Sequence, residues 1–257
     1  MALKKKKAQP AQPDSTPFPY TKEPGPWIMF LAAYISGVFV AGGPRVITVI
    51  VLVSLSILLL IKSPVANMLR TRRAGQLFHS GLAMLALPAF AGLGYSLWLY
   101  PPLGLLYAAG ALLLALNYYF EGKRTVFPPV YSEACGMAVM GLAAVIGASV
   151  AGGILKGLYL WPLFSLFYLA SSFRVRYQGR KKKKYRKTGG MYSGALLFGG
   201  LAGAALGHMV LLAFLPLAED VFSAVRQPGE KQKLRQIGML SAAKVIVFSA
   251  LVVLLSR

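Results

Sequence analysis

Few side chains in this 257-residue sequence have the types needed for chemistry. The acids are Asp14, Glu23, Glu121, Glu133, Glu219, Asp220 and Glu230; the histidines are His79 and His208; the one cysteine is Cys135. A single thiol excludes an internal disulfide and a cysteine-built metal site, and two histidines leave little for metal or haem ligation. No phosphate-cradling glycine loop, nucleophile elbow or HExxH pattern occurs. Carboxylate chemistry remains. Asn117, Glu121, Glu133, Glu219 and Asp220 form the set from which a divalent cation or a diphosphate site would have to be built, because hard cations take several oxygen ligands. The alternative for the same acids is solvation, or pairing with nearby Lys and Arg at a membrane surface. Lys244 lies within an apolar run; it either snorkels to the surface or pairs with an acid at its own depth, Glu219 being the candidate. The two histidines are read either as ligands or proton carriers, or as hydrogen-bonded residues near helix ends.

The elements that must position these groups are long apolar runs. Hydrophobic residues make up 56% of the chain and charged residues 14%, with a mean hydropathy of +0.60, which excludes an ordinary soluble domain and a disordered chain. The runs are Trp27–Gly43, Val46–Ile61, Leu77–Leu97, Leu103–Phe120, Tyr131–Ala151, Leu155–Phe173, Met191–Leu217 and Met239–Leu255. Most are near the ~17–20 residues that cross ~30 Å of hydrocarbon as a helix. In lipid every backbone polar group must be bonded internally, so a span is a helix or a barrel strand, and these runs are too long and continuous for barrel strands. The expected fold is all-α, a polytopic transmembrane bundle. Residues 1–26 are a basic and Pro-rich tail; residues 27–257 form one transmembrane domain with a basic cytoplasmic loop at 174–190. The tail is not read as a signal peptide, since its basic cluster sits about 20 residues from the first apolar run.

The net charge of +21 comes from 28 Lys and Arg against 7 acids. On a soluble face that balance would suggest nucleic acid; in a membrane protein it is first an orientation signal. The segment 191–225 decides the span count. As one helix it gives eight spans; as two short helices meeting near Gly207-His208 it gives nine. With a cytoplasmic N-terminus, nine spans put 24 of the 28 basic residues inside, leaving Arg45, Lys156 and Arg257 outside and Lys244 within the last span. Eight spans sort them 21 against 6. Nine is the preferred count, in the cytoplasmic (inner) membrane. Arg174, Arg176, Arg180, Lys181, Lys182, Lys183, Lys184, Arg186 and Lys187 then form one basic stretch with no acid. It is read as an anchor on anionic headgroups, each residue contributing roughly 1 kcal/mol, with docking of an acidic partner as the alternative and nucleic acid set aside. Gly199, Gly203 and Gly207 recur every four residues, a small-residue stripe that permits close helix packing.

Four places carry a family resemblance. Pro24-Gly25-Pro26-Trp27 precedes the first span. Asn117-Tyr118-Tyr119-Phe120 is followed by a basic loop and Glu133-Ala134-Cys135-Gly136. Tyr168 to Arg176 closes the sixth span, and Leu234-Arg235-Gln236-Ile237-Gly238-Met239-Leu240 opens the last. These resemble the YwiC-like family of bacterial integral membrane proteins, of uncertain function. Departures fall on polar positions: Pro24 stands where the family has His, Ser241 where it has Glu, and Glu133 where it has Asp. Nine helices with polar cytoplasmic loops also resemble, in topology, the UbiA-type prenyltransferases, which hold a Mg²⁺-diphosphate on two Asp-rich motifs; DxxxD is absent here. The expected function is a structural or accessory subunit of a membrane complex, with no cofactor or metal. The alternatives are a UbiA-like enzyme on a prenyl or lipid substrate and a small-solute transporter.

Overall fold

The structure, a computed structural model, describes residues 24–71, 82–123, 126–180, 183–226 and 234–256. Nine α-helices and no strand are found among them: α1 (Pro24–Ala41), α2 (Val46–Thr71), α3 (Leu82–Leu99), α4 (Leu103–Gly122), α5 (Pro129–Val150), α6 (Ile154–Arg180), α7 (Lys183–Ala205), α8 (Ala218–Arg226) and α9 (Leu234–Leu255). A 3₁₀ segment, Met209–Leu217, leads directly into α8. Four of the helices are long and apolar enough to cross a membrane, over Leu103–Gly122, Pro129–Val150, Ile154–Val175 and Gly238–Leu255, and three shorter apolar helices accompany them.

The segment 191–225 is broken, as the nine-helix reading requires. α7 ends at Ala205, Gly207 adopts φ +96°, and His208 caps the 3₁₀ segment. A positive φ is a conformation that glycine enters without a Cβ clash. Several boundaries differ from the sequence reading: α2 runs on to Thr71 rather than Ile61, and α9 starts at Leu234 rather than Met239. α1 starts at Pro24 rather than Trp27, since proline is tolerated in a first helical turn. The stretch expected as a loop at 174–190 is helical on both sides of residues 181–182, which lie outside the described residues; Lys and Arg are good helix formers.

α5 is the central helix. Residues 141–148 are all buried, and α5 packs most extensively on α6, α1 and α4. Missing side chains make this possible. A Cβ on Gly147 would collide with the Tyr34 carbonyl oxygen, and one on Gly37 with the Ala144 carbonyl oxygen. On α6, a Cβ on Gly157 would come within 2.9 Å of the Val145 Cα. Without water to drive apolar association, close backbone approach and dispersion hold membrane helices together. Tyr34 adds a hydrogen bond, its hydroxyl donating to the Thr48 carbonyl at 2.7 Å, and Tyr168 donates across the bundle to the Met29 carbonyl at 2.6 Å.

The two ends of the bundle differ. At one end the Lys156 ammonium donates to the Val40 carbonyl at 3.2 Å, and the Arg45 guanidinium lies against Gly152. The two internal cations assigned to the outer side thus share an end. The opposite end holds Glu121, Lys123, Glu133 and Arg174. There the rings of Phe120, Phe127 and Tyr131 contact one another, Phe120 and Phe127 edge to face at 5.2 Å.

A buried ion cluster as candidate functional site

Arg174 lies five residues beyond Leu169 on α6, at the end where the apolar span gives way to basic residues. Its side chain turns inward and is 1% exposed. Glu219 and Asp220 occupy the first turn of α8, where the helix N-terminus favours negative charge. Lys244 projects from the third turn of α9 and is also buried. These four residues, from three helices, form one ion cluster.

The Arg174 guanidinium grips Glu219 with both terminal nitrogens: Nη2 donates to Oε1 at 2.7 Å, and Nη1 donates to Oε2. Nη1 also donates to Asp220 Oδ1. The Lys244 ammonium donates to Glu219 Oε2 and, at 2.5 Å, to Asp220 Oδ1. Two cations therefore face two carboxylates, and the cluster is formally neutral. Burial of any one of these charges alone would cost several kcal/mol. Glu219 is 43% exposed by side chain, whereas Asp220 is 3% exposed. Asp220 Oδ2 is buried with no hydrogen-bond partner.

The cluster sits on an aromatic plug. Phe167 of α6 stacks on Phe248 of α9, with centroids 4.0 Å apart and planes 13° apart. Phe164 meets Phe248 edge to face at 5.1 Å, and Phe214 of the 3₁₀ segment closes the third side. Phe248 follows Lys244 by one turn, and Phe167 precedes Arg174 by about two, so apolar packing seals the side of the cluster facing the bundle interior.

The other candidate residues fall elsewhere. Glu133 accepts from the Ser172 hydroxyl at 2.8 Å. Ser172 and Arg174 are two positions apart on α6, about 200° around the helix, so Glu133 and the Glu219–Asp220 pair lie on nearly opposite faces. Asn117 is buried and donates to the Ser132 carbonyl, tying α4 to α5. The five oxygen-bearing residues proposed for a diphosphate site are thus not gathered into one set. Among the described residues no group of three or more His, Cys, Asp or Glu is arranged to hold a metal ion.

Two further expectations are corrected by the geometry. Arg174 does not belong to the surface of the basic stretch, because its guanidinium is consumed by two carboxylates. Of the glycine stripe only Gly203 packs, its Cβ direction pointing at the Leu211 side chain; Gly199 faces open space and Gly207 is the turn. The close contact passed over in the sequence is Gly200, where a Cβ would lie 2.7 Å from the Leu211 carbonyl oxygen. Of the two readings of Lys244, pairing with Glu219 is the one the geometry takes. His208 is exposed at the turn, and His79, Lys181 and Lys182 lie outside the described residues. The side chains of Arg176, Arg180, Lys183, Lys184, Arg186 and Lys187 are likewise not among those described.

Residues 21–146 match the family model described as YwiC-like protein. Over that stretch, α1 through most of α5, the chain is a YwiC-like protein, and the whole is a helical membrane protein. The resembling stretches at 168–176 and 234–240 lie beyond the matched residues, as does the ion cluster. No curated protein matches the chain, and no solved structure matches it.

Proposed function

We propose that this YwiC-like protein is a non-catalytic polytopic protein of the cytoplasmic membrane, an accessory subunit of a larger membrane complex. The observation that carries this reading is the ion cluster. Intramembrane ionisable residues often mark a reaction or transport path. Here Arg174 and Lys244 answer Glu219 and Asp220 within the chain, and the aromatic plug lies where a path beyond them would run. The cluster fastens α6, α8 and α9 to one another. A buried ionic group of this kind specifies which helices meet more than it adds stability. The separation of Glu133 and Asn117 from the Glu219–Asp220 pair weighs against a diphosphate enzyme of the UbiA type.

The basic stretch completes the reading. The basic residues from Arg176 to Lys187, without Arg174, are read as an anchor for anionic headgroups of the cytoplasmic leaflet. The test is isolation of the tagged chain in mild detergent, followed by native electrophoresis and mass analysis. A second membrane protein recovered at fixed stoichiometry is the expected result. Recovery of the chain only as a monomer, at native expression level, overturns the subunit reading.

A further inference from the structure

The ion cluster leaves hydrogen-bonding capacity unused at its centre. Asp220 is almost fully buried, and only one of its carboxylate oxygens is engaged: Oδ1 accepts from Arg174 and Lys244, while Oδ2 has no partner among the described residues. A carboxylate oxygen shut away from solvent without a donor is costly. The Lys244 ammonium carries three protons, and Glu219 Oε2 and Asp220 Oδ1 take two of them. A third group lies beside these. Ser241 is buried on α9, three residues before Lys244, and its hydroxyl also lacks a partner among the described residues. Positions three apart share a helix face, and a helical side chain leans toward the N-terminus of its helix, so the Lys244 stem runs back over Ser241.

The backbones around these groups stand apart. α8 packs on α7 and the 3₁₀ segment, and it reaches α6 and α9 chiefly through the side chains of Glu219 and Asp220. The space so bridged is closed on its inner side by the stack of Phe167 on Phe248, and half-buried Glu219 marks its outer side.

Charge decides what can occupy it. Arg174 and Lys244 already balance Glu219 and Asp220, so a further cation would leave net positive charge where burial is costly. An apolar group would leave Oδ2 and the Ser241 hydroxyl unbonded. A small neutral molecule that both donates and accepts meets every demand, and a buried water typically makes about three hydrogen bonds to such groups. We propose that the cluster holds one internal water, which accepts from the Lys244 ammonium and the Ser241 hydroxyl and donates to Asp220 Oδ2. The water is then part of the joint, tying α9 to α8 through Ser241 as well as through Lys244. This site rests on the cluster acting as the fastening of α6, α8 and α9; it does not depend on the subunit assignment.

The test turns on the sign of one substitution, read by thermal unfolding of the full chain in detergent. Removing a hydroxyl that has no partner relieves a burial cost, and alanine is the better helix former, so without the water Ser241→Ala would hold or raise the unfolding temperature. With the water it is expected to lower it by about 2–4 °C. Ser249→Ala is the control. Ser249 is buried on the same helix with an unpartnered hydroxyl, but it lies five residues past Lys244 and about 140° around from it, so its removal is expected to cause no fall. The effect of Ser241→Ala should also shrink in the background of Asp220→Asn with Lys244→Met, where the ammonium is gone and an amide replaces the charged acceptor. A structure that resolves waters should show density about 2.5–3.2 Å from both Asp220 Oδ2 and Ser241 Oγ. An unchanged or raised unfolding temperature in Ser241→Ala, an equal fall in Ser249→Ala, an undiminished fall in the double background, or the lack of such density beside a well-ordered Asp220 overturns the proposal. So does an unfolding temperature that follows sodium concentration at constant ionic strength, which marks a bound cation instead.

Discussion

The two halves of the bundle are held together by different physics. α1 to α5 pack through absent side chains: Gly37 and Gly147 let two backbones touch, and hardly any charge is buried there. α6, α8 and α9 meet through present ones: Arg174, Asp220 and Lys244 are buried charges that must find each other, and stacked phenylalanines fill the space beneath. The family match covers the first mode and stops short of the second. Backbone contact is tolerant of neighbours as long as the glycines remain small. An ion cluster is intolerant, because each member is costly without the others. The difference teaches where the chain can leave an open apolar cleft, about 770 Å³ between the α2–α3 pair and the α4–α5 pair: beside the half whose helices are held by local close contact, not beside the half locked by charge.

The comparison is tested first where the expected effect is largest. Asp220→Asn leaves Arg174 and Lys244 with one carboxylate between them, and removing one member of a buried pair costs about 3–5 kcal/mol. The expected result is loss of the monodisperse protein peak after mild heating in detergent. Lys244→Met alone has the same direction, leaving two carboxylates to one cation. Asp220→Asn with Lys244→Met restores neutrality and is expected to recover part of the loss, a coupling that a double-mutant cycle in thermal unfolding measures directly. If the double variant is as unstable as the sum of the singles, the four residues do not act as one cluster.

Phe248→Ala comes next, at a similar scale. Phe248 is fully buried and meets Phe164, Phe167 and Phe214. Removing it leaves a cavity costing about 3–5 kcal/mol, and it opens the floor of the ion cluster. Unfolding temperature is the first measurement. The second is accessibility of Glu219 to a carboxyl-modifying reagent, which rises if the plug seals the cluster and does not change if it plays no such part.

In the other half the expected cost is smaller. Gly147→Ala places a methyl against the Tyr34 carbonyl and pushes α1 from α5. Overpacking of this kind costs about 1–3 kcal/mol. The same substitution is expected to leave Arg174–Glu219 pairing intact, so its loss should add to that of Asp220→Asn, as it does for distant independent sites. Non-additivity would show that the two packing modes are coupled.

How much of this was legible follows from what each signal measures. Hydropathy marks long apolar runs, and charge bias sorts their ends; together they lead to an all-helical bundle with a break near Gly207-His208. Pattern along the chain does not report which face of a helix turns inward once all faces are apolar. Arg174 therefore reads as the first residue of a basic surface stretch, though it is the most buried cation among the described residues. Pairing of Lys244 with Glu219 is one of two readings open in the sequence, beside snorkelling; choosing it, and finding Asp220 as the shared acceptor, requires the fold. The carboxylates read as a single candidate set separate for a similar reason, since Ser172 and Arg174 on α6 point apart.

The glycines of α7 give the smallest and sharpest test, because two adjacent positions should behave oppositely. Gly199 faces open space, so Gly199→Ala meets nothing and falls within the roughly ±0.5 kcal/mol of surface substitutions, with helix propensity acting in its favour. Gly200 is buried, and its added methyl would lie 2.7 Å from the Leu211 carbonyl oxygen, forcing α7 away from the 3₁₀ segment. That displacement also moves the segment that leads into Glu219 and Asp220. Gly200→Ala should therefore lower the unfolding temperature, and it should lower it less in the background of Asp220→Asn with Lys244→Met, where the cluster no longer demands an exact placement of α8. Equal effects of Gly199→Ala and Gly200→Ala would mean that the regular four-residue stripe, and not the contact with Leu211, sets how α7 packs.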